Sequence, residues 1–151
     1  MEKVETQIIG KGKFTVFTNI DKISKKIRHP TEIICKYLSF CTGSNWNSKK
    51  KSLTGIHEIE QIQTLILDYV TLFVLCESCA NPQTIFIVKG KKKRIKLYTQ
   101  CSACLYKAHI VEQDDADSKI PLKIVTGKSN IKLVNFIGNY IKDHPMELSA
   151  N

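Results

Sequence analysis

The sequence predicts an α+β chain. A small α/β domain covers residues 1–73, a β-rich module built on paired cysteines covers 74–110, and an acidic linker with a C-terminal helix packing back on the fold covers 111–151. Three observations carry this prediction. Apolar residues recur every three or four positions through residues 57–72, and β-prone runs flank glycine-containing turns near the N-terminus. The helical period then breaks at Phe73, where cysteine pairs and short β-prone runs begin. At 151 residues, with 42% apolar and 25% charged composition, the chain is long enough for one ordinary core or two small modules.

Taken in order, Thr6-Gln7-Ile8-Ile9 and Phe14-Thr15-Val16-Phe17-Thr18 are β-prone runs around Gly10-Lys11-Gly12-Lys13, a hairpin with a basic tip. Asp21 is the expected N-cap of a short helix whose Ile20, Ile23 and Ile27 share a face. His29-Pro30 ends that helix, because the residue before a proline is pushed out of the α region, and Pro30 can occupy the first turn of the next. The second helix, about residues 31–40, carries Ile33, Ile34, Tyr37, Leu38 and Cys41 at helical spacing, with Gly43 as terminator. Cys35 and Cys41 are expected to pack as small apolar groups. Residues 45–52, with the run Lys49-Lys50-Lys51, form a loop or the tip of a short hairpin. The long amphipathic helix follows over 57–72, through Ile59, Ile62, Leu65, Ile66, Tyr69, Val70 and Phe73. Residues 85–88 and 95–99 are strand candidates around Gly90-Lys91-Lys92-Lys93-Arg94. Glu112-Gln113-Asp114-Asp115-Ala116-Asp117 reads as an acidic linker, and residues 131–142 as a last amphipathic helix through Ile131, Val134, Ile137 and Ile141.

The formal charge is +9, from 23 Lys+Arg against 14 Asp+Glu, which favours a polyanionic partner over a membrane or a basic substrate. Only Arg28 and Arg94 are arginines, so the basic surface consists of lysine point charges and not planar, bidentate forks. No apolar run reaches the roughly 20 residues of a membrane span, so no membrane association is expected. Met1-Glu2-Lys3-Val4-Glu5 lacks the pattern of a secretory signal, which predicts a reducing, cytoplasmic setting for the six cysteines.

Cys76-Glu77-Ser78-Cys79 and Cys101-Ser102-Ala103-Cys104 are two C-x-x-C pairs with 21 residues between them, enough for two strands and a turn. Two cysteines three apart at a tight turn can aim both sulfurs at one point, and two such turns supply a tetrahedron of thiolates, the geometry of a structural zinc ion. On this reading Cys76, Cys79, Cys101 and Cys104 make residues 74–110 a four-cysteine zinc ribbon holding one Zn. A four-thiolate ion has no open position for water or substrate, so its role is structural and no catalytic residue is assigned. Two disulfides, four free thiols or a redox dithiol are the competing readings. The expected reducing compartment argues against disulfides, and the matched second pair against a thioredoxin-type site. His109 lies five residues past Cys104 and is expected to be a surface histidine, since the sulfur set is complete.

The stretch from Gly55-Ile56-His57-Glu58 to Cys76-Glu77-Ser78-Cys79-Ala80-Asn81-Pro82-Gln83-Thr84, followed by Cys101-Ser102-Ala103-Cys104, resembles the amino-terminal domain of eukaryotic translation initiation factor 5 and the related beta subunit of factor 2. The beta subunit usually carries S-P-D-T where this chain has Asn81-Pro82-Gln83-Thr84, so the resemblance leans towards factor 5. It covers about residues 6–110, with Gly10-Lys11-Gly12 and His29-Pro30-Thr31 in family order. It implies an α/β domain and a zinc ribbon working as a monomer on the small ribosomal subunit during start-codon selection. The implied partners are small-subunit rRNA, initiator tRNA and the initiator-tRNA GTPase, translation initiation factor 2. Relatives of the factor 5 type promote GTP hydrolysis with an arginine ahead of the first strand, and residues 1–9 contain none. Lys3 would be a poor substitute for that delocalised charge. The resemblance also implies a helical-repeat domain after this fold in factor 5 and lysine blocks before it in the beta subunit; these 151 residues carry neither, so an excised domain or a compact homologue is expected.

The basic residues expected to meet RNA are Lys11 and Lys13, Lys49, Lys50 and Lys51, and Lys89 with Lys91, Lys92, Lys93 and Arg94, all at predicted turns. Exposed lysines at turn tips reach phosphates with little rearrangement, and Lys11 alone matches the family's Gly-Lys-Gly. Trp46 is read as a hydrophobic lid and not a base-stacking platform. His57, beside Glu58, is read as a capping or packing group, because no partner is placed to complete a catalytic set. Two other functions compete with the initiation-factor reading: a GTPase-activating protein for the initiator-tRNA GTPase, and a zinc-ribbon DNA-binding or transcription module.

Overall fold

The structure, a computed structural model, describes residues 3–90, 95–111, 122–124 and 130–147. The chain divides into two compact units, Met1–Val70 and Thr71–Asn151. Among the described residues there are two four-stranded sheets and four α-helices, one sheet in each unit. No helix there is long and apolar enough to cross a membrane.

In the first unit, strands β1 (Thr6–Ile9) and β2 (Phe14–Phe17) form the expected hairpin, and β3 (Trp46–Asn47) and β4 (Ser52–Thr54) form a second. The two join through antiparallel β2–β4 pairing, giving the order β1-β2-β4-β3. Residues 45–52 are thus largely a hairpin, with Asn47 Oδ1 accepting from the N–H groups of Lys49 and Lys50 at 3.0 Å to shape its turn. Helix α1 (Ile20–Ile27) buries Ile20, Ile23 and Ile27 along one face as its spacing predicts. Its N-cap is Asn19, not Asp21. The Asn19 side chain is committed to the N-terminal segment, accepting from the Glu5 N–H at 2.8 Å and donating to the Lys3 carbonyl at 2.7 Å. Asp21, one turn position inside the helix, instead accepts from the Thr31 hydroxyl at 2.9 Å and pairs with Lys51. Lys51 and Thr31 hold its carboxyl below the usual carboxylate range.

Helix α2 (Thr31–Thr42) has Pro30 as its N-cap, just outside the first turn where the sequence places it, and ends at Gly43. Gly43 sits at φ 73°, a left-handed cap that a residue without Cβ adopts at little cost. Ile33, Ile34, Cys35 and Leu38 are fully buried, whereas Cys41 is exposed, contrary to its expected packing. Position 41 falls in the last turn, where the helix has run past the core. Helix α3 (Ile59–Tyr69) begins two residues later than its pattern suggests, since Glu58 is extended and forms the cap. Ile62, Ile66 and Tyr69 complete the core, with the Tyr69 hydroxyl 2.8 Å from His29 Nδ1.

The helical run predicted to reach residue 72 changes character after α3. Val70–Val74 is a single π-helical turn, which shifts the register so that adjacent Phe73 and Val74 are both fully buried. It leads the chain directly into Cys76. In the second unit β5 (Thr84–Lys89), β6 (Lys96–Cys101) and β7 (Lys107–Val111) form an antiparallel meander, and β8 (Leu122–Ile124) adds parallel to β7. Strands β7 and β8 are not foreseen in the sequence. Lys107–Val111 is only five residues long and mixes lysine and histidine with apolar positions, so its partner strand decides its state. Three-residue β8 falls within the segment read as linker and helix. The acidic run 112–117 and the 91–94 turn lie outside the described residues.

Phe86, Leu97, Thr99, Ala108 and Ile110 bury one face of this sheet. Helix α4 (Asn130–Asp143) packs against β5 and β6, burying Leu133, Val134, Ile137 and Ile141. Gly138 allows the close approach: a Cβ there would lie 2.7 Å from Ile95 Cγ2.

Candidate metal centre and basic loops

The two C-x-x-C turns have the same backbone design. In the first, the Cys76 N–H donates to the Asn81 carbonyl at 3.1 Å, the Ala80 N–H to the Cys76 carbonyl at 2.8 Å, and the Ser78 N–H to Cys76 Sγ at 3.3 Å. In the second, the Cys101 N–H donates to the Tyr106 carbonyl at 3.0 Å, the Leu105 N–H to the Cys101 carbonyl at 3.0 Å, and the Ala103 N–H to Cys101 Sγ at 3.3 Å. Each turn closes on a left-handed residue, Ala80 at φ 60° and Leu105 at φ 65°. Neither is glycine, so the sequence carries no local signal for these positions. The turns are joined by β5–β6 pairing, which sets Thr84 opposite Cys101, and by the Ser102 N–H donating to the Gln83 carbonyl at 2.9 Å.

This scaffold brings the sulfurs of Cys76, Cys79, Cys101 and Cys104 within 4.8 Å of one another. Cys76 and Cys104 Sγ are 3.5 Å apart, and Cys79 and Cys101 Sγ 3.7 Å. The edge of a tetrahedron with metal–sulfur bonds of about 2.3 Å is about 3.8 Å, so the spacing fits one four-coordinate ion. It does not fit disulfides, whose sulfurs bond at about 2.05 Å, and all four cysteines are free. The electrostatics agree. The Tyr106 backbone N–H holds Cys104 down to about 7. The Asn81 N–H pulls on Cys79 in the same way, but desolvation and the three neighbouring sulfurs push that thiol up to about 12. The Cys104 and Cys79 thiols are thus pushed in opposite directions, and a divalent cation at the centre would favour the thiolate of both. Cys76 and Cys101 form the buried side of the cluster, Cys79 and Cys104 the exposed side.

His109 takes no part in this cluster. Its ring stacks on Tyr98 with centroids 4.8 Å apart, and partial burial, with Lys96 nearby, lowers its pKa. His57 is a packing group: its Nε2 lies 2.9 Å from the Thr54 carbonyl and 3.1 Å from Ser44 Oγ, and its N–H donates to Thr15 Oγ1 at 3.1 Å. It fastens the segment before α3 to the sheet.

The basic loops are separated by the sheet topology. Lys11 and Lys13 lie in the turn between β1 and β2, beside Gly55 at the end of β4, where the Gly55 N–H donates to the Lys13 carbonyl at 2.6 Å. Lys49, Lys50 and Lys51 lie in the turn that starts β4, beside Phe17 at the end of β2. Because β2 and β4 run antiparallel, the two tips occupy opposite ends of one sheet. Their lysines also differ in commitment: Lys51 is paired with Asp21, and Lys50 Nζ lies 5.7 Å from the Phe14 ring centroid. Lys91, Lys92, Lys93 and Arg94 fall outside the described residues. Trp46 stacks on buried Phe17 with centroids 5.9 Å apart, and its Nε1 is buried without a hydrogen-bond partner. Trp46→Phe keeps the stack and removes an orphaned donor. Its measured unfolding free energy is expected to stay within about 1 kcal/mol of the parent.

A family model described as a domain found in initiation factors 2B and 5 matches residues 1–107. Curated relatives include eukaryotic translation initiation factor 5 of Dictyostelium discoideum, 31% identical over 108 residues covering 69% of this chain and 26% of the relative. The factor 5 of Caenorhabditis elegans is 32% identical over 110 residues, 69% of this chain and 24% of the relative. That of Saccharomyces cerevisiae is 29% identical over 110 residues, 69% of this chain and 26% of the relative. The chain therefore spans about a quarter of the length of these relatives.

Proposed function

The chain belongs to the family of domains found in initiation factors 2B and 5, and from that membership we propose that it is a translation initiation module that binds the small ribosomal subunit and the initiator-tRNA complex during start-codon selection. The family match over residues 1–107 is the observation that carries this reading. Its proposed partners are small-subunit rRNA, initiator tRNA and the factor 2 GTPase that carries the tRNA, met in the cytoplasm.

The separation of the lysine tips supports a particular way of binding. Lys11 and Lys13 at one end of the sheet, and Lys49 at the other, suit a module lodged between two RNA elements with backbone phosphates on both sides, while the Lys50 ammonium reaches back along the sheet to the Phe14 ring. Lysines contribute point charges there, so recognition is of RNA backbone and shape, not of base sequence. Lys51 can join only by giving up Asp21. Lys91, Lys92, Lys93 and Arg94 extend the basic surface by sequence. Cys76, Cys79, Cys101 and Cys104 hold one zinc ion, which supplies a cross-link between the two turns and no reactive position.

The test is co-sedimentation with small subunits across a salt series. Binding should weaken steeply as salt rises, and Lys11→Ala with Lys13→Ala should lower affinity by about 10-fold and flatten the salt dependence, because two phosphate contacts are lost. Folded, metal-loaded protein that ignores subunits at low salt removes the reading. Acceleration of single-turnover GTP hydrolysis on assembled initiation complexes would favour the GTPase-activating alternative instead.

A further inference from the structure

One face of the second sheet brings Lys89, from the third basic cluster, together with residues that the basic-loop reading does not include. Register places Ile87, Tyr98 and His109 side by side across β5, β6 and β7, with Lys89 opposite Lys96 in the next row and Gln100 opposite Lys107 on the other side. This is the face opposite to the buried one formed by Phe86, Leu97, Thr99, Ala108 and Ile110. Lys89 and Lys107 start from diagonal corners around Tyr98, and both turn inward over its ring, with their ammonium groups 5.7 and 4.7 Å from the centroid. His109 stacks on the same tyrosine at 4.8 Å.

Convergence of like charges is unfavourable without a counter-charge. Lys89 and Lys107 approach closely enough that Lys89 lowers the Lys107 pKa, the largest cause, with desolvation acting in the same direction. Lys96 and Lys89 form a directly opposed like-charged pair, which destabilises a sheet. Among the described residues no carboxylate pairs with Lys89, Lys96 or Lys107. The side chains nonetheless gather over Tyr98 instead of spreading into solvent. An anion bound between the two ammonium groups resolves the conflict.

We infer that this sheet face, built from Lys89, Lys107 and Lys96 around Tyr98 and His109, is a second RNA site that holds the phosphodiester backbone of a single strand. The inference rests on the initiation-module reading for its choice of RNA over an acidic peptide. Charge density supports the same choice. Residues 89–96 carry six cations, Lys89, Lys91, Lys92, Lys93, Arg94 and Lys96, a run that matches a polyanion charged at every unit. Apolar anchorage on this face is limited to Ile85 and Ile87 on β5 and the Tyr98 ring, and the lysines surround that ring. Lys89 and Lys107 clamp one phosphate over the Tyr98 ring, while Lys96 meets the next along the strand.

The test uses the full chain, loaded with zinc, and a fluorescein-labelled 12-nucleotide oligouridylate followed by anisotropy across a salt series. Lys89→Gln with Lys107→Gln should weaken binding at least 10-fold and reduce the log–log salt slope by about 1.4, from two contacts of about 0.7 each on a single strand. Metal content should be unchanged and the melting temperature equal or higher, since like charges are removed, which separates loss of a site from loss of the fold. Tyr98→Phe keeps the ring and should bind as the parent does. No binding of the oligonucleotide, a slope unchanged in the double variant, or equal binding of polyglutamate would each overturn the inference. Failure of small-subunit co-sedimentation with oligonucleotide binding still dependent on Lys89 and Lys107 would count against the initiation reading alone.

Discussion

Serine in place of Cys76 or Cys101 is expected to abolish stoichiometric zinc binding and to unfold the β5–β6 hairpin with its two turns. Both sulfurs are buried, with Cys76 5% and Cys101 0% exposed, and each also accepts a backbone N–H that shapes its own turn. Binding energy in small metal modules is folding energy, about 10 kcal/mol or more for a structural zinc, while among the described residues the unit around the cluster has one four-stranded sheet and one α-helix. Serine at the exposed Cys79 or Cys104 should do less, leaving three thiolates and a position that water can fill. Atomic emission on protein purified without chelator, with hydrogen exchange over residues 84–89 and 96–101, checks both claims. About one zinc per chain is expected for the parent and close to none for Cys101→Ser. Protection of α2 and α3 should persist, because their core of Ile33, Leu38, Ile62 and Ile66 contains no metal ligand. A parent protein free of zinc, or a Cys101→Ser variant with full metal and native protection, would refute the metal assignment.

Phe73→Ala should destabilise the second unit by about 3–5 kcal/mol, the range for removing a fully buried aromatic side chain from a packed core. Phe73 is 0% exposed and tilts against Phe86 at 5.4 Å between centroids, three residues ahead of Cys76. The π turn that holds it sets how the chain enters the first cysteine turn. The cavity is therefore expected to reach the metal, and zinc transfer to a chromophoric chelator should be much faster than in the parent. Phe73→Leu, which refills most of the volume, should recover the larger part of the loss. Chemical denaturation and the chelator assay measure the two effects separately. Normal zinc retention in a strongly destabilised Phe73→Ala protein would show that the aromatic pair and the cysteine turns are energetically independent.

The parts of this protein that were legible in its sequence are those governed by short-range spacing. Ile20, Ile23 and Ile27 announce a helix face, Gly43 its neighbour's end, and each C-x-x-C a tight cysteine turn, since each depends on residues a few positions apart, while β5–β6 pairing joins the two turns into one four-sulfur cluster. Errors arose where a side chain had a rival partner or an element leaned on distant support. Asp21 is a good capping residue, but Asn19 takes the position and leaves Asp21 to Lys51, thirty residues away. Cys41 has the right period for burial, yet sits where the helix has outrun its core. Strands β7 and β8 carry weak local signals and exist because each finds a hydrogen-bonding edge, β7 on β6 and β8 on β7.

Residue identity and local period were thus enough to specify the family, the helices, the cysteine set and the abundance of lysine over arginine. The positions that the lysines take depend instead on the folded chain. Antiparallel pairing of β2 with β4 sends the two basic tips to opposite ends of one sheet, and the β5-β6-β7 register gathers Lys89, Lys96 and Lys107 around Tyr98. Strand order and register come from hydrogen bonds between residues far apart in the chain, so they, and not the spacing of the lysines, determine which charges share a surface.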